Sequence, residues 1–304
     1  MCLGHNVMSG TLFITYCYPT FYQHRFMAAE KKESPDKKFS PRSKFGTIGA
    51  HYLCPNKPRK MNSALPLDIL AIGAHPDDVE ISSAATLLKA SDAGKRIGIV
   101  DLTRGELGSR GSAELRDTES AAASKLLRLA MRQNLRLADG FFEVNADNKL
   151  ALVRIIRQYR PKVVLINAPS DRHPDHGRGH QLASDACFLA GLNKIATTDN
   201  QGQNQDAFRP QHVYAYIQDH YHKPDLVVDI EGYWERKLEV LQCYGSQFYQ
   251  PTADGPQTPI SSKEFLEHLY GRCLQIGREA GITLGEGYIA LKVPSVQNID
   301  DLTS

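Results

Sequence analysis

The stretch LDILAIGAHPDDVEISSAATLLKASDAG, residues 67–94, decides the fold. Its first eight residues form an almost continuous apolar run that ends in small side chains. That is the pattern of a strand buried on both faces in a parallel sheet. Residues 79–93 then read as a helix, closed by Gly94 where a left-handed residue is favoured. The polar turn His75-Pro76-Asp77-Asp78 joins the two.

The same alternation continues along the chain. RIGIVDLT (96–103) reads as a second strand, TRGELGSRGS (103–112) as a Gly-rich loop and residues 114–130 as an Ala-rich helix. A short strand is expected near 141–144 and a helix over 148–159, stopped by Pro161. KVVLINA (162–168) is another buried strand, followed by the polar loop 170–180, which runs into a helix to about residue 190. After a loop at 197–211 come the strands HVYAYI (212–217) and DLVVDI (225–230), helices at 233–243 and 262–280, and a last strand, GYIALKV (287–293), expected at a sheet edge. Strands separated by helices of this length imply βαβ units. The predicted fold class is α/β, a Rossmann-like mostly parallel sheet with helices on both faces, in a single domain over residues 61–304.

Composition narrows the function. The 304 residues carry 36 basic and 34 acidic side chains, and 41% are hydrophobic. That excludes disorder throughout and gives no general case for nucleic-acid binding. No apolar run is long enough for a transmembrane helix, so no membrane association is expected. The average hides a split, because residues 1–60 hold ten basic and only three acidic side chains. AEKKESPDKKFSPRSKF (29–45) has the composition of a disordered segment. TLFITYCYPTFY (11–22) lacks a basic lead and is too short and aromatic for a secretory signal. Residues 1–60 are therefore expected to be a basic extension from a mis-assigned start, with Met61 opening the enzyme. Six cysteines form no CxxC pair and no disulfide framework, which fits a reducing cytoplasm.

Two motifs carry chemistry. His75-Pro76-Asp77-Asp78 follows strand 67–74, and Asp171-Arg172-His173-Pro174-Asp175-His176 follows strand 162–168. In a doubly wound sheet, ligands bind at the carboxyl ends of strands, so the two motifs converge. One such turn alone reads equally well as a helix N-cap, with Asp capping and Pro in the first turn. A second His-Pro-Asp at another strand end is not explained by capping. Imidazoles and carboxylates at i, i+3 suit Zn²⁺, with Fe²⁺ as a substitute. Of two adjacent aspartates, one can bind the metal while the other accepts a proton.

AHPDDVE (74–80), TRGELGSRG (103–111), RDTE (116–119) and DRHPDHG (171–177) together resemble the PIG-L/LmbE-like family of zinc-dependent N-acetylglucosaminide deacetylases. The resemblance runs from Leu67 to Tyr249. GYWERKLEVLQCYGSQF (232–248) is similar to the bacillithiol-pathway branch, which acts on N-acetylglucosaminyl-malate. The resemblance implies His75, Asp78 and His176 as metal ligands and Asp77 as general base. It implies that His173, oriented by Asp175, stabilises the oxyanion and protonates the amine. It further implies that Arg116 holds the sugar and that Arg172 meets the aglycone carboxylate. A guanidinium suits that last task, because it grips a carboxylate through two hydrogen bonds. A small-molecule glycoconjugate substrate, a cytoplasmic location and a homo-oligomer, commonly a hexamer, are implied as well. Where relatives often carry glycines after the first motif, this chain has Ser82-Ser83-Ala84-Ala85-Thr86.

Overall fold

A computed structural model describes residues 65–250 and 255–299. The expected extension, residues 1–60, lies outside the described residues. The elements run β1 (Ile69–Gly73), α1 (Asp78–Asp92), β2 (Ile97–Asp101), α2 (Ala113–Leu126), β3 (Met131–Asn134), α3 (Ala146–Tyr159), β4 (Val163–Ile166), α4 (Pro174–Ala190), β5 (His212–Tyr216), β6 (Leu226–Asp229), α5 (Trp234–Gln242), α6 (Lys263–Glu279) and β7 (Gly285–Ala290). The strands form one sheet in the order β3-β2-β1-β4-β5-β7-β6. Pairing is parallel from β3 through β5, while β7 runs antiparallel to both its neighbours. The chain is thus an α/β protein with a mostly parallel sheet.

Side-chain alternation builds a core on each face. Leu70 and Ile72 of β1, Val100 of β2, and Val164 and Ile166 of β4 pack with Leu152, Val153, Leu182 and Cys187 of α3 and α4. Ala71, Ile97, Ile99 and Leu165 take the opposite face, against Val79, Leu87, Leu88, Val240, Leu241 and Leu269 of α1, α5 and α6. Both faces are covered, which is why the central strands read as continuous apolar runs. The thiols of Cys187, Cys243 and Cys273 are free, and Cys187 and Cys273 are buried.

Three expectations need correction. The short strand near 141–144 is not formed; the strand is β3, Met131–Asn134, and 141–144 is a turn and loop. The helix expected to reach residue 130 stops at Leu126, and Arg128 turns left-handed at φ 53° to aim the chain into β3. The last strand is not an edge, because it inserts between β5 and β6 and leaves β6 outside.

The sheet order fixes the position of the site. Successive connections leave β1 in one direction towards β2 and β3, and in the other towards β4 and β5. The crevice opens at that divergence, beyond the carboxyl ends of β1 and β4.

Candidate active site

The His75–Asp78 turn leaves β1, and the Asp171–His176 segment leaves β4 at the start of α4. Neighbouring parallel strands bring the two segments side by side. They line a cleft of about 490 Å³ with the Gly-rich loop, Asp139 and residues from α6. That is room for a small ligand.

Asp78 sits at the centre and is buried. Its Oδ2 accepts from the His75 amide at 3.0 Å and from Asn167 Nδ2 at 3.0 Å. Asn167 is held in turn by Gln218 Oε1 at 2.9 Å. Nδ1 of His75 lies 3.6 Å from Asp78 Oδ2, and Nε2 of His176 lies 3.1 Å from Asp78 Oδ1. The far nitrogen of each imidazole is backed by carboxylates. His75 Nε2 meets Asp139 at 3.1 Å and Asp175 at 3.3 Å, and His176 Nδ1 meets Asp171 at 2.5 Å. Histidines that bind a metal are fixed in this way, with the outer nitrogen on a carboxylate and the inner one facing the ion. Ligand atoms of a tetrahedral zinc, each at about 2.0–2.1 Å, stand roughly 3.3 Å apart, which the two inner separations bracket. The donor set therefore fits a divalent cation held by His75, Asp78 and His176.

The charges agree with that arrangement. Burial opposes protonation of His176, but Asp78 and Asp171 outweigh it and raise it to about 9. His75 is likewise held well above the usual histidine range against burial, by Asp139, Asp175 and Asp78. Burial works to raise Asp139, yet its bond to His75 brings it down to about 2. A cation would occupy the place of those protons and be neutralised by the same carboxylates.

Asp77 stands apart from this web. It holds the N-cap position of α1 but makes no capping hydrogen bond, and its backbone is left-handed at φ 114°. That conformation strains a non-glycine residue, and such strain gathers at functional sites. Its Oδ2 is buried without a hydrogen bond and lies 3.3 Å from Arg116 Nη1. Arg116 is anchored by the Pro76 carbonyl at 2.7 Å. Gly105, at φ 67°, lets the loop pass over that guanidinium, since a Cβ there would stand 3.2 Å from Arg116 Nη1.

A family profile described as PIG-L, GlcNAc-PI de-N-acetylase, matches residues 70–187 and so spans both motifs. A conserved protein of Thermus thermophilus has a crystal structure similar over 77% of this chain and 98% of its own, at 31% identity and TM-score 0.67. The chain belongs to the PIG-L family.

Two further relatives show the range of named activities around this PIG-L chain. It is 28% identical over 190 residues to a diacetylchitobiose deacetylase of Thermococcus kodakarensis, covering 59% of this chain and 70% of that one. It is 30% identical over 157 residues to a 1D-myo-inositol 2-acetamido-2-deoxy-alpha-D-glucopyranoside deacetylase of Streptomyces scabiei, covering 40% of this chain and 48% of that one. The alignment thus spans about half the length of the Streptomyces relative.

Other expected PIG-L site residues are placed as follows. His173 caps α4, with its Nδ1 accepting from the Asp175 amide at 3.3 Å. That bond leaves Nε2 as the protonated nitrogen of a neutral ring. Burial holds His173 below the usual histidine range, and the charges of His75 and His176 add to the effect. Asp175 is fully buried, and its carboxylate meets His75, the Gly140 amide and Arg178; only its backbone N–H reaches His173. Arg172 borders the cleft and pairs with Asp219 at 3.1 Å.

Sequence reading missed Asn167, Gln218 and Asp139 and gave Asp171 no role. Asn167 and Gln218 follow strands, and their polarity at strand ends is their signal. Asp139 arrives from a segment read as a connection to the wrong strand. Ring nitrogens of His75, His173 and His176 all lie within 4.8 Å of one another, which raises His173 as a rival ligand. Its lack of a backing carboxylate argues against that role. After zinc loading and dialysis, His176→Ala is expected to hold almost no zinc while His173→Ala keeps about one ion per chain. Equal loss from both variants would make His173 a ligand.

Proposed function

We propose that the protein hydrolyses the N-acetyl group of an N-acetylglucosamine conjugate, with Zn²⁺ or Fe²⁺ held by His75, Asp78 and His176. The observation that carries this reading is the pair of carboxylate-backed histidines converging on Asp78, with an unbonded aspartate beside it. When bound, the ion would polarise the acetamide carbonyl and acidify water next to it.

The chain's own groups supply the rest. Asp77 takes the proton from the attacking water through its free Oδ2. The water oxygen forms a bond to the acetyl carbon, and His173 donates its Nε2 proton towards the charge that develops on the carbonyl oxygen. The C–N bond then breaks, the departing amine takes the proton that Asp77 removed from the water, and acetate remains. Arg116 and Asp139 line the cleft where the sugar hydroxyls would lie.

The substrate that this reading favours is N-acetylglucosaminyl-malate, giving glucosaminyl-malate and acetate as in bacillithiol synthesis. Support comes from the 232–248 resemblance and from Arg172 at the cleft, where a carboxylate can be gripped. A second reading, a chitooligosaccharide deacetylase, is favoured by the similarity to the Thermococcus enzyme.

Amine release from N-acetylglucosaminyl-malate, diacetylchitobiose and free N-acetylglucosamine, with and without chelator, tests both readings. Chelator-sensitive release, strongest on the malate conjugate, is the expected result. Preference for diacetylchitobiose would transfer the chain to the second reading. No release with any supplied metal would end the proposal.

A further inference from the structure

The cleft has two ends of opposite charge. At one end the carboxylates around Asp78 crowd the histidines. At the other, Arg172 and Arg272 flank Asp219. An anionic group on a substrate is attracted to the second end.

The basic end is built. Arg172 Nε lies 3.1 Å from Asp219 Oδ2. Arg272 Nη2 donates to the Asp219 carbonyl at 2.8 Å and lies 3.6 Å from its Oδ1. Two guanidiniums thus share one carboxylate, and the cluster keeps a net positive charge. Arg272 projects from α6 beside the buried Leu269, Cys273 and Ile276, and its side chain is only 9% exposed. Among the described residues, its Nη1 and Nε make no hydrogen bond, nor do the terminal nitrogens of Arg172. The cluster is also tied to the reacting end. The Asp219 and His220 amides donate to Asp171, the carboxylate that backs His176.

We propose that Arg272, acting with Arg172 across Asp219, is a specificity-determining residue that seats a carboxylate of an acidic aglycone. Asp219 serves as the internal counter-ion of the free seat. The seat rests on the deacetylase reading only in that it receives the far end of the same conjugate. With an anion anchored there, the conjugate lies along the cleft and its acetamide reaches Asp77.

The test is binding, measured by calorimetry on the zinc-loaded full chain, with glucosaminyl-malate and methyl glucosaminide as probes. Wild type is expected to bind the malate conjugate about tenfold more tightly or better, the scale of one charged hydrogen-bonded contact. In Arg272→Ala that preference falls to about twofold or less, while methyl glucosaminide binds as before. Arg272→Lys keeps the charge without the fork and retains part of the preference; it decides the matter if the alanine variant does not fold. An unchanged preference in these variants, or equal weakening of both probes, overturns the seat. Acetate release from acetylated glucosamines with no acid preference in wild type sinks the seat and leaves the reaction. Acid preference without any acetate release sinks the reaction and leaves the seat.

Discussion

Asp77→Asn is expected to lower kcat on an acetylated glucosamine conjugate by about 10²–10⁴-fold, the usual contribution of a positioned general base. Metal content should not change, because Asp77 belongs to neither the inner contacts of Asp78 nor the carboxylates behind the histidines. The fold should also survive. Asparagine has the same shape and tolerates the left-handed backbone at φ 114° better than most residues. Burial pushes Asp77 up to about 7, with Arg116 opposing and Asp78 adding to the rise. A divalent ion on His75, Asp78 and His176 would lower it again and leave the base ionised at neutral pH. The acid limb of kcat/KM for the loaded enzyme is therefore expected below pH 7, and it should be absent from the residual activity of the variant. Turnover like wild type would remove Asp77 from its role.

The second large effect concerns stability. Lys237 of α5 and Glu286 of β7 form a buried pair at 2.6 Å. Glu286 also accepts from the Ala85 and Thr86 amides inside α1, at 3.2 and 2.8 Å. One carboxylate thus fastens α1, α5 and the antiparallel strand. Glu286→Ala strands an ammonium and removes an acceptor from two amides, which should cost about 3–5 kcal/mol. Urea unfolding followed by circular dichroism would show it as a lower midpoint at an unchanged slope. Replacing both partners with apolar residues should restore much of the loss, since no unpaired charge then remains. A loss below about 1 kcal/mol in Glu286→Ala would show that water reaches the pair.

The central strands were legible because they are covered on both faces and so are written in aliphatic residues. β3 was not. MRQN has no apolar run, since it is the outermost strand on its side, and the sheet accepts it through backbone pairing with β2. The aromatic run at 141–144 competed for the assignment, yet Phe142 and Val144 turn towards the core from a loop while Phe141 is 75% exposed at the cleft rim. Leu126-Leu127-Arg128-Leu129-Ala130 continues a helical pattern with nothing in it to mark a stop, and only the left-handed Arg128 ends the helix.

At the site, the two His-Pro-Asp turns were legible because they are local in the chain. The partners that fix them are not local. Asp139, Asn167, Gln218 and Asp219 are ordinary polar residues until the sheet order places them around Asp78 and Asp171. Arg272 left a faint signal, as a charge set among Leu269, Cys273 and Ile276 on the buried stripe of α6. Asp77 is instructive in the other direction. Its position suggests a cap, yet its backbone is left-handed and its side chain makes no capping bond.

The place of β7 in the sheet governs the order in which the molecule can be completed. Among the described residues, β6 pairs only with β7, and β5 has one open edge until β7 arrives. A nascent chain that ends before residue 285 can form the parallel half, with the histidines and Asp78 already aligned. It then carries an unsatisfied edge on β5 and a strand with no sheet to join, the usual template for pairing between molecules. Residues 285–290 therefore act as the clasp on a half-finished sheet. A chain cut before residue 285 should aggregate rather than give a smaller, working protein.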